Sequence, residues 1–227
     1  PQTGKALDRG TLIRFRPDSK IFKSNLTFPG SFVSEWASIA AYFTPGLRVI
    51  VSDDAGKSKE YHYPDGPKQY LENKIARLQK ESSEGGEDSF EVLGTSPFIV
   101  QNALIDCALQ FTTFDGRELQ GFTNGLRNVE NGVHIDAVYA ALKESLQPYI
   151  KPRQNFTLHH LKDGLIGIIN AKLSSPKFDS QTKEKLVDER ADAPVKEFVL
   201  KSLAAFFKAN KALAARICDR ADALSKL

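Results

Sequence analysis

The residues best suited to chemistry lie in a short polar turn, F-D-S-Q-T-K-E-K-L, which spans residues 178–186. Gln181 offers an amide, and Lys183 offers three hydrogen-bond donors and a positive charge. If the turn is extended, their i, i+2 spacing points both side chains the same way. Together they suit an anion such as phosphate, and one charge-assisted contact is worth roughly 1.5–3 kcal/mol. The alternative is an ordinary solvated turn.

The elements that must position this turn can be read from the residues before it. G-L-I-G-I-I-N-A-K-L, residues 164–173, is apolar enough for a central strand. Thr157 is a candidate N-cap for a short helix through H-H-L-K-D. Residues 131–146 have helical periodicity, which we expect to end at Leu146, before Pro148. The turn is therefore predicted to follow a buried strand directly.

Two further strands are predicted upstream, in residues 103–113 and 117–124. They are separated by F-D-G, a short connection containing glycine, which favours an antiparallel hairpin. Residues 68–78 place three apolar side chains on one face of a short helix. The acidic, Gly- and Ser-rich residues 81–88 are predicted to form a mobile loop.

The first 63 residues have the pattern of a separate α/β unit. T-L-I-R-F-R at 11–16 alternates like a strand, and a helix with Ser31 as its N-cap is predicted before Pro45. L-R-V-I-V-S and K-E-Y-H-Y flank D-D-A-G-K, as the two strands of a hairpin do. We therefore predict two domains, residues 1–63 and 64–227.

A long helix is predicted over residues 194–225, with Pro194 in its first turn. Its apolar residues keep to one side, so the opposite side is expected to be basic. An ordinary solvated face is one interpretation of that basic side, and sequence-independent contacts with phosphate groups are the other. The basic residues concerned are Lys201, Lys208, Lys211 and Lys226.

The composition of the 227 residues is that of a globular protein, with 41% hydrophobic and 26% charged residues and a net charge of +3. This charge does not indicate a strongly basic nucleic-acid binder. The two cysteines, Cys107 and Cys218, have apolar neighbours, which favours reduced core thiols in a cytoplasmic protein. No metal site is predicted. The chain has no methionine and begins P-Q-T-G-K, from which we expect a fragment of a longer protein.

Three segments together resemble the B subunits of type IIA DNA topoisomerases, the family of DNA gyrase and topoisomerase IV. The main segment is D-G-L-I-G-I-I-N-A-K-L-S-S-P-K-F-D-S-Q-T-K-E-K-L, residues 163–186, which contains the family's Q-T-K loop. G-T-L-I-R-F-R-P-D at 10–18 and F-T-N-G at 122–125 occur in the family's order. The resemblance thus covers residues 10–227, and it leaves gyrase and topoisomerase IV as alternatives.

The resemblance implies a fold and a binding role. Residues 1–63 would be the C-terminal remnant of a GHKL-type ATPase sandwich, and the rest an α/β transducer domain. That domain would have a ribosomal-protein-like βαβ fold, a left-handed crossover and a long C-terminal helix. Lys183 would reach from the transducer to the γ-phosphate of ATP held by a different domain, with Gln181 beside it.

The function implied is coupling of ATP binding and hydrolysis to DNA gate movement in a topoisomerase that uses ATP and Mg²⁺. The partners implied are DNA, an A-type cleavage subunit and a second B subunit. The DNA path would be lined by the basic side of the C-terminal helix, with Lys201, Lys208, Lys211 and Lys226 as candidates. The family's acidic general base, Mg²⁺-binding Asn and glycine-rich lid have no counterpart here, so we expect this chain alone to be inactive. The alternative hypothesis is a non-catalytic module that docks proteins or RNA, because folds are reused for unrelated functions.

Overall fold

A five-stranded mixed sheet organises the protein, whose computed structural model describes residues 11–21, 29–85 and 89–227. The order of its strands is β3-β4-β7-β5-β6, and β1 and β2 form a separate hairpin. The strands are β1 (Val49–Ser52), β2 (Ser58–Tyr61), β3 (Val92–Gln101), β4 (Ile105–Thr112), β5 (Glu118–Thr123), β6 (Leu126–Asn128) and β7 (Leu165–Ala171). The helices are α1 (Gly30–Phe43), α2 (Pro67–Gly85), α3 (Val133–Leu146), α4 (Leu158–Lys162), α5 (Glu189–Ala209) and α6 (Lys211–Leu224).

Strand β7 is the centre of the sheet, as the apolar run predicted, and all seven of its residues are buried. It pairs antiparallel with β4 and parallel with β5. The predicted hairpin of β4 and β5 is therefore wrong. A strand buried on both faces needs hydrogen-bond partners on both edges, and β7 obtains them by lying between the two strands that the short F-D-G connection joins.

Helices cover both faces of the sheet because the side chains of each strand alternate between the faces. In β4, Cys107 and Leu109 contact the core beneath α3, α5 and α6, whereas Ala108 contacts the core beneath α2. The crossover from β5 to the parallel strand β7 runs through α3 and α4. The α/β class is confirmed by this arrangement, and the left-handed crossover stays a prediction.

The helix and hairpin predicted in the first unit are present, but their details differ. The predicted N-cap is wrong, because α1 begins at Gly30 and Ser31 lies inside it. The buried face of α1 comprises Ala37, Ala41 and Tyr42, while Trp36 is 60% exposed. The two strands form the predicted hairpin, in a register that pairs Val49 with Tyr61 and Ser52 with Ser58.

The strand predicted at residues 11–16 is absent. Residues 11–16 have no regular secondary structure, and Leu12 and Ile13 are 90% and 79% exposed. Alternation of apolar and polar residues alone does not determine whether a segment joins a sheet.

The predicted loop at 81–88 is wrong for residues 81–85, which continue α2. Two ion pairs at i, i+4 spacing, Arg77 with Glu81 and Lys80 with Glu84, join side chains in these last turns. Such pairs compensate for the weak helix preference of the serines. Residues 86–88 lie outside the described residues.

The predicted helix 194–225 is two helices, and it starts earlier than expected. Asp188 is the N-cap of α5, so Pro194 is the sixth helical residue instead of lying in the first turn. The chain leaves helical geometry at Asn210, which has φ −121° and ψ 52°, and α6 starts at the next residue. Asn210 Nδ2 donates to the carbonyl oxygen of Phe206 at 2.8 Å, which satisfies a carbonyl group at the end of α5.

The cysteines are free and buried, as predicted. Burial raises the pKa of both thiols, to about 11 for Cys218, which keeps them protonated near neutral pH. Among the residues that the structure describes, no helix has both the length and the apolar character needed to span a membrane.

Phe207 links α5 to the rest of the larger core, and its replacement tests that packing. Its ring is fully buried and lies 5.7 Å from the ring of Phe111 and 6.3 Å from that of Tyr149, measured between centroids. We expect Phe207→Ala to lower the free energy of unfolding by about 3–5 kcal/mol in urea denaturation, because it leaves a cavity. The exposed neighbour supplies the control, since Lys208→Ala should change that energy by less than about 0.5 kcal/mol. An equal effect of the two changes would contradict this packing.

Candidate functional site

The Q-T-K segment forms a closed β-turn on the surface. The backbone N–H of Lys183 donates to the carbonyl oxygen of Ser180 at 3.1 Å, and the hydroxyl oxygens of Ser180 and Thr182 lie 2.8 Å apart. Lys183 has φ 61°, in the left-handed region that non-glycine residues rarely adopt. The extended geometry assumed for Gln181 and Lys183 is therefore wrong, and its i, i+2 alignment does not apply. Both side chains are exposed, as a ligand from another domain would require.

The buried side-chain amide of Asn128 stabilises the backbone of the turn. Asn128 Nδ2 donates to the carbonyl oxygen of Lys183 at 2.9 Å, and Thr123 Oγ1 donates to Asn128 Oδ1 at 2.7 Å. Asn128 and Thr123 are 2% and 1% exposed, at the ends of β6 and β5. These bonds connect the backbone of the turn to the edge of the sheet, and they fix the unusual conformation of Lys183.

The residues that follow the turn contact the beginning of α3. Leu186 is fully buried, and its carbonyl oxygen accepts from the N–H of Val133 at 3.1 Å. Gly132 has φ 142°, and a Cβ atom placed on it would lie 2.4 Å from the carbonyl oxygen of Leu186. Only glycine allows this approach of two backbones. The turn and the crossover helix are thus in direct contact.

An ion pair closes the base of the loop. Asp188 is 1% exposed and receives two hydrogen bonds from the Arg190 guanidinium, at 2.8 and 2.7 Å. It also accepts from the backbone N–H of Lys177 at 3.2 Å. The hydrogen bond from Arg190 is the main reason why the pKa of Asp188 falls to about 2. The residues before and after the turn are therefore tied to the start of α5.

The F-T-N-G segment positions the start of the connection that leads from β7 to the Q-T-K turn. Asn124 Nδ2 donates to the carbonyl oxygen of Leu173 at 2.8 Å, and Asn124 Oδ1 accepts from the N–H of Leu173 at 2.9 Å. The N–H of Gly125 donates to Asn170 Oδ1 at 2.9 Å. The turn between β5 and β6 thus fixes the chain where it leaves β7.

The ammonium group of Lys183 is available to an anion. Its Nζ atom lies 5.9 Å from the centroid of the Phe178 ring. Within the described ranges it forms no ion pair. A fixed backbone with an unpaired cation at its tip is the arrangement that an anion-binding finger needs.

The four lysines proposed for a DNA path do not form one continuous helical face. Lys201 and Lys208 are exposed on α5, Lys211 is exposed on α6, and the break at Asn210 separates the two pairs. Lys226 lies beyond α6 and pairs with Asp222. DNA contact by these residues stays a prediction, with three of the four ammonium groups free of ion pairs among the described residues.

Sequence reasoning found the turn but missed its supports. Asp188 had the signal of an N-cap, since an acidic residue stands before a helix that begins Glu-Arg. Gly132 follows Asn131, a dipeptide typical of turns. Asn128 gave no local signal, because its partners Thr123 and Lys183 are distant in sequence. His160, the second of two adjacent histidines, has a structural role. Its Nδ1 atom accepts a hydrogen bond from the N–H of Thr157 at 3.1 Å, at the start of α4.

The chain matches one known protein family over most of its length. The family model for DNA gyrase B matches residues 66–226. The B subunit of DNA gyrase from Archaeoglobus fulgidus is 26% identical over 226 residues, covering 96% of this chain and 34% of the relative. The B subunit of DNA topoisomerase 4 from Mycoplasma capricolum is 26% identical over 221 residues, covering 93% of this chain and 33% of the relative. The chain therefore spans about a third of the length of these relatives.

Two solved structures share the fold. The B-subunit of DNA gyrase from Myxococcus xanthus matches with a TM-score of 0.71 at 23% identity, covering 93% of this chain and 70% of that one. The 43K ATPase domain of Thermus thermophilus gyrase B, in complex with an aminocoumarin, matches with a TM-score of 0.69 at 22% identity, covering 90% and 55%. At these identities the likeness concerns the fold alone.

The ion pair of Asp188 predicts a pH-dependent contribution to stability. Because the pKa of Asp188 is lowered in the fold, the ionised carboxylate stabilises it fully above the ordinary value of 3.8, and this contribution is lost as pH falls to about 2. We expect wild type to be more stable than Asp188→Asn by a constant amount between about pH 5 and 8. Denaturant unfolding at stepped pH should show the two converging below pH 4. A difference that is independent of pH would contradict the ionic role.

Proposed function

The chain belongs to the DNA gyrase B family, and we propose that it acts as the transducer part of an ATP-dependent type II DNA topoisomerase. The observation that carries the proposal is the anchored S-Q-T-K turn, which presents the exposed ammonium group of Lys183. In this proposal Lys183 contacts the γ-phosphate of ATP, with Gln181 as a second donor. The nucleotide itself is held by a part of the enzyme outside this chain.

The proposed domain boundary lies between residues 63 and 64. On this division α1 and the β1–β2 hairpin are the end of an ATPase domain, and α2 begins the transducer. The division is supported by the separate two-stranded sheet and by a small core of its own, in which Ala37 and Ala41 contact Tyr61. The hinge of the coupling would then be the short connection from Tyr61 to Pro67.

Coupling follows from a contact that depends on the state of the nucleotide. While the γ-phosphate is present, Lys183 and Gln181 stabilise the arrangement in which the turn reaches the nucleotide. After hydrolysis and phosphate release, that stabilisation is lost and another arrangement becomes accessible. Because Leu186 contacts the start of α3 and Asp188 caps α5, displacement of the turn would displace both helices.

The residues present fit the phosphate of ATP better than its metal ion. Lys183 supplies a positive charge and Gln181 an amide, both suited to phosphate oxygens. Among the described residues no three His, Cys, Asp or Glu side chains lie together as a metal site would require. A Mg²⁺ ligand from this chain is not part of the proposal. When bound to the nucleotide, Mg²⁺ would neutralise phosphate charge at the reacting end.

The remaining parts of the proposal concern partners. DNA, an A-type cleavage subunit and a second B subunit are the proposed partners, in the cytoplasm. The three exposed lysines without ion pairs on α5 and α6 are the proposed DNA contacts. They would bind the phosphate backbone without reading sequence. The choice between gyrase and topoisomerase IV activity is left to the parts of the enzyme outside this chain.

The first test replaces Lys183 in the full-length subunit assembled with its cleavage partner. We expect Lys183→Ala to lower ATP turnover by about 100-fold or more, because one donor to developing negative charge is removed. DNA relaxation should fall in parallel. ATP turnover by a coupled assay and relaxation by gel electrophoresis measure the two effects.

The matched control is Lys185→Ala, two residues along the same exposed loop. It should retain ATP turnover within about twofold, since its side chain is not placed at the turn's tip. Equal turnover by Lys183→Ala and wild type would refute the nucleotide contact. It would favour the alternative of a non-catalytic protein- or RNA-interaction module.

The second test concerns DNA. We expect the triple variant Lys201→Gln, Lys208→Gln and Lys211→Gln to reduce the slope of log K against log salt by about 2 to 3, since each phosphate contact contributes about 0.9. Fluorescence anisotropy with a DNA duplex, over a salt series, measures this slope for the full-length subunit. The triple variant Lys57→Gln, Lys68→Gln and Lys80→Gln carries the same charge change elsewhere and should leave the slope unaltered. Equal slopes in all three proteins would exclude these lysines as DNA contacts.

A further inference from the structure

A cleft of about 650 Å³ lies between two parts of the fold, apart from the Q-T-K turn. One wall is formed by α1 and the hairpin, and the other by α2 and β5. Its volume lies within the usual range of small-molecule sites, about 300–1,000 Å³. Four of the six tyrosines in the sequence line it, namely Tyr42, Tyr61, Tyr63 and Tyr70.

The hydroxyl group of Tyr61 is a buried donor without a partner. The residue is 3% exposed, and its hydroxyl oxygen has no hydrogen-bond partner among the residues that the structure describes. An unpaired buried hydroxyl is destabilising, so a group that accepts its hydrogen bond adds a corresponding stabilisation. A ligand that enters this cleft is a natural source of such an acceptor.

The other tyrosines are held in place before any ligand binds. Tyr42 and Tyr63 stack with their ring centroids 3.6 Å apart and their planes 6° from parallel. Asn73 Nδ2 donates to the Tyr42 hydroxyl at 2.6 Å, and the Tyr70 hydroxyl donates to Gln120 Oε1 at 2.6 Å. Burial raises the pKa of Tyr70 to about 12, so its hydroxyl keeps its proton near neutral pH. The aromatic walls are therefore preorganised, which lowers the entropic cost of binding a flat ring.

The charges around the cleft favour an anion. Its lining contains four basic side chains and two acidic ones. Lys74 is paired with Glu118 at 2.7 Å and Arg127 with Glu35 at 3.5 Å. Arg77 is paired with Glu81 outside the lining at 3.4 Å, which leaves Lys59 as the remaining cation. Lys59 Nζ lies 4.8 Å from the centre of the Tyr61 ring and forms no ion pair with any described residue. An unpaired cation thus stands beside the unpaired hydroxyl.

We propose that this cleft binds a small organic anion that carries a flat aromatic ring. Its acidic group accepts a hydrogen bond from the Tyr61 hydroxyl and pairs with Lys59, and its ring packs against the tyrosine walls. A ligand there contacts α1 and the hairpin on one side and α2 and β5 on the other. It therefore stabilises the arrangement of the two walls that the structure shows. This site is independent of the proposed nucleotide contact, because it requires neither ATP nor Lys183.

The test uses 2-naphthoate as the anionic probe and 2-naphthamide as its uncharged counterpart. Binding to the 227-residue chain is measured by titration calorimetry and by chemical-shift changes of the probe. We expect 2-naphthoate to bind with a Kd below about 1 mM, and the amide to bind at least tenfold more weakly. Absence of binding by 2-naphthoate at millimolar concentration, or equal binding of the two probes, would overturn the proposal.

Variants locate the binding in the cleft. Tyr61→Phe keeps the ring and removes the donor, and Lys59→Gln removes the cation, so each should weaken 2-naphthoate binding about five- to tenfold. Tyr149→Phe and Lys57→Gln make the same chemical changes outside the cleft and should leave the Kd unchanged. Thermal unfolding identifies any variant that is misfolded, and Arg77→Gln then replaces it as a second cation of the lining. Binding that none of the cleft variants weakens would place the anion elsewhere and refute the site.

Discussion

The whole sheet depends on how β7 satisfies its backbone. All seven of its residues are buried, so no water is available to the N–H and C=O groups on either edge. β4 and β5 supply the partners, one antiparallel and one parallel. The parallel pairing requires a crossover, and α3 and α4 provide it. One buried strand thus determines the strand order and the location of two helices.

The same strand sets where the polar turn can lie. The chain leaves β7 at Ala171 and is held at once by Asn124, through two hydrogen bonds to Leu173. It then runs beside the short strand β6, where Asn128 holds the carbonyl of Lys183. The position of the turn is therefore determined by β5, β6 and β7 together, and the residues of the turn itself contribute little to it.

Local signals in the sequence were sufficient for some elements and insufficient for others. The apolar run of β7, the periodicity of α3 and the turn between β1 and β2 each specify one element through neighbouring residues. The predicted β4–β5 hairpin was wrong because the strand that separates the two comes much later in the sequence, at residues 165–171. The predicted strand at 11–16 was wrong because an alternating pattern alone does not determine whether a segment joins a sheet.

The residues of the site also differ in whether local sequence signals were sufficient to predict them. Gln181 and Lys183 could be identified from their chemistry and from the family resemblance, whereas the geometry of their turn could not. Its left-handed residue is stabilised by Asn128 and by the contact between Gly132 and Leu186, neither of which leaves a local pattern. Likewise, a single long C-terminal helix was predicted from a continuous apolar face. The helix is interrupted at Asn210, whose side chain hydrogen-bonds to a carbonyl group in the last turn of α5.

The fixed backbone and the exposed side chain of Lys183 together determine how strong a contact with a phosphate can be. The backbone is already ordered, so binding costs only side-chain freedom, about 1.5–2 kcal/mol for a lysine. A charge-assisted hydrogen bond is worth about 1.5–3 kcal/mol. For the bound ground state the surplus is then at most about 1.5 kcal/mol, which changes an equilibrium by about tenfold. A contact of this strength is readily reversed, as repeated cycles of coupling require. Under the proposed function, a larger shift needs the second donor, Gln181, on the same ordered turn, and a second B subunit that moves with the first.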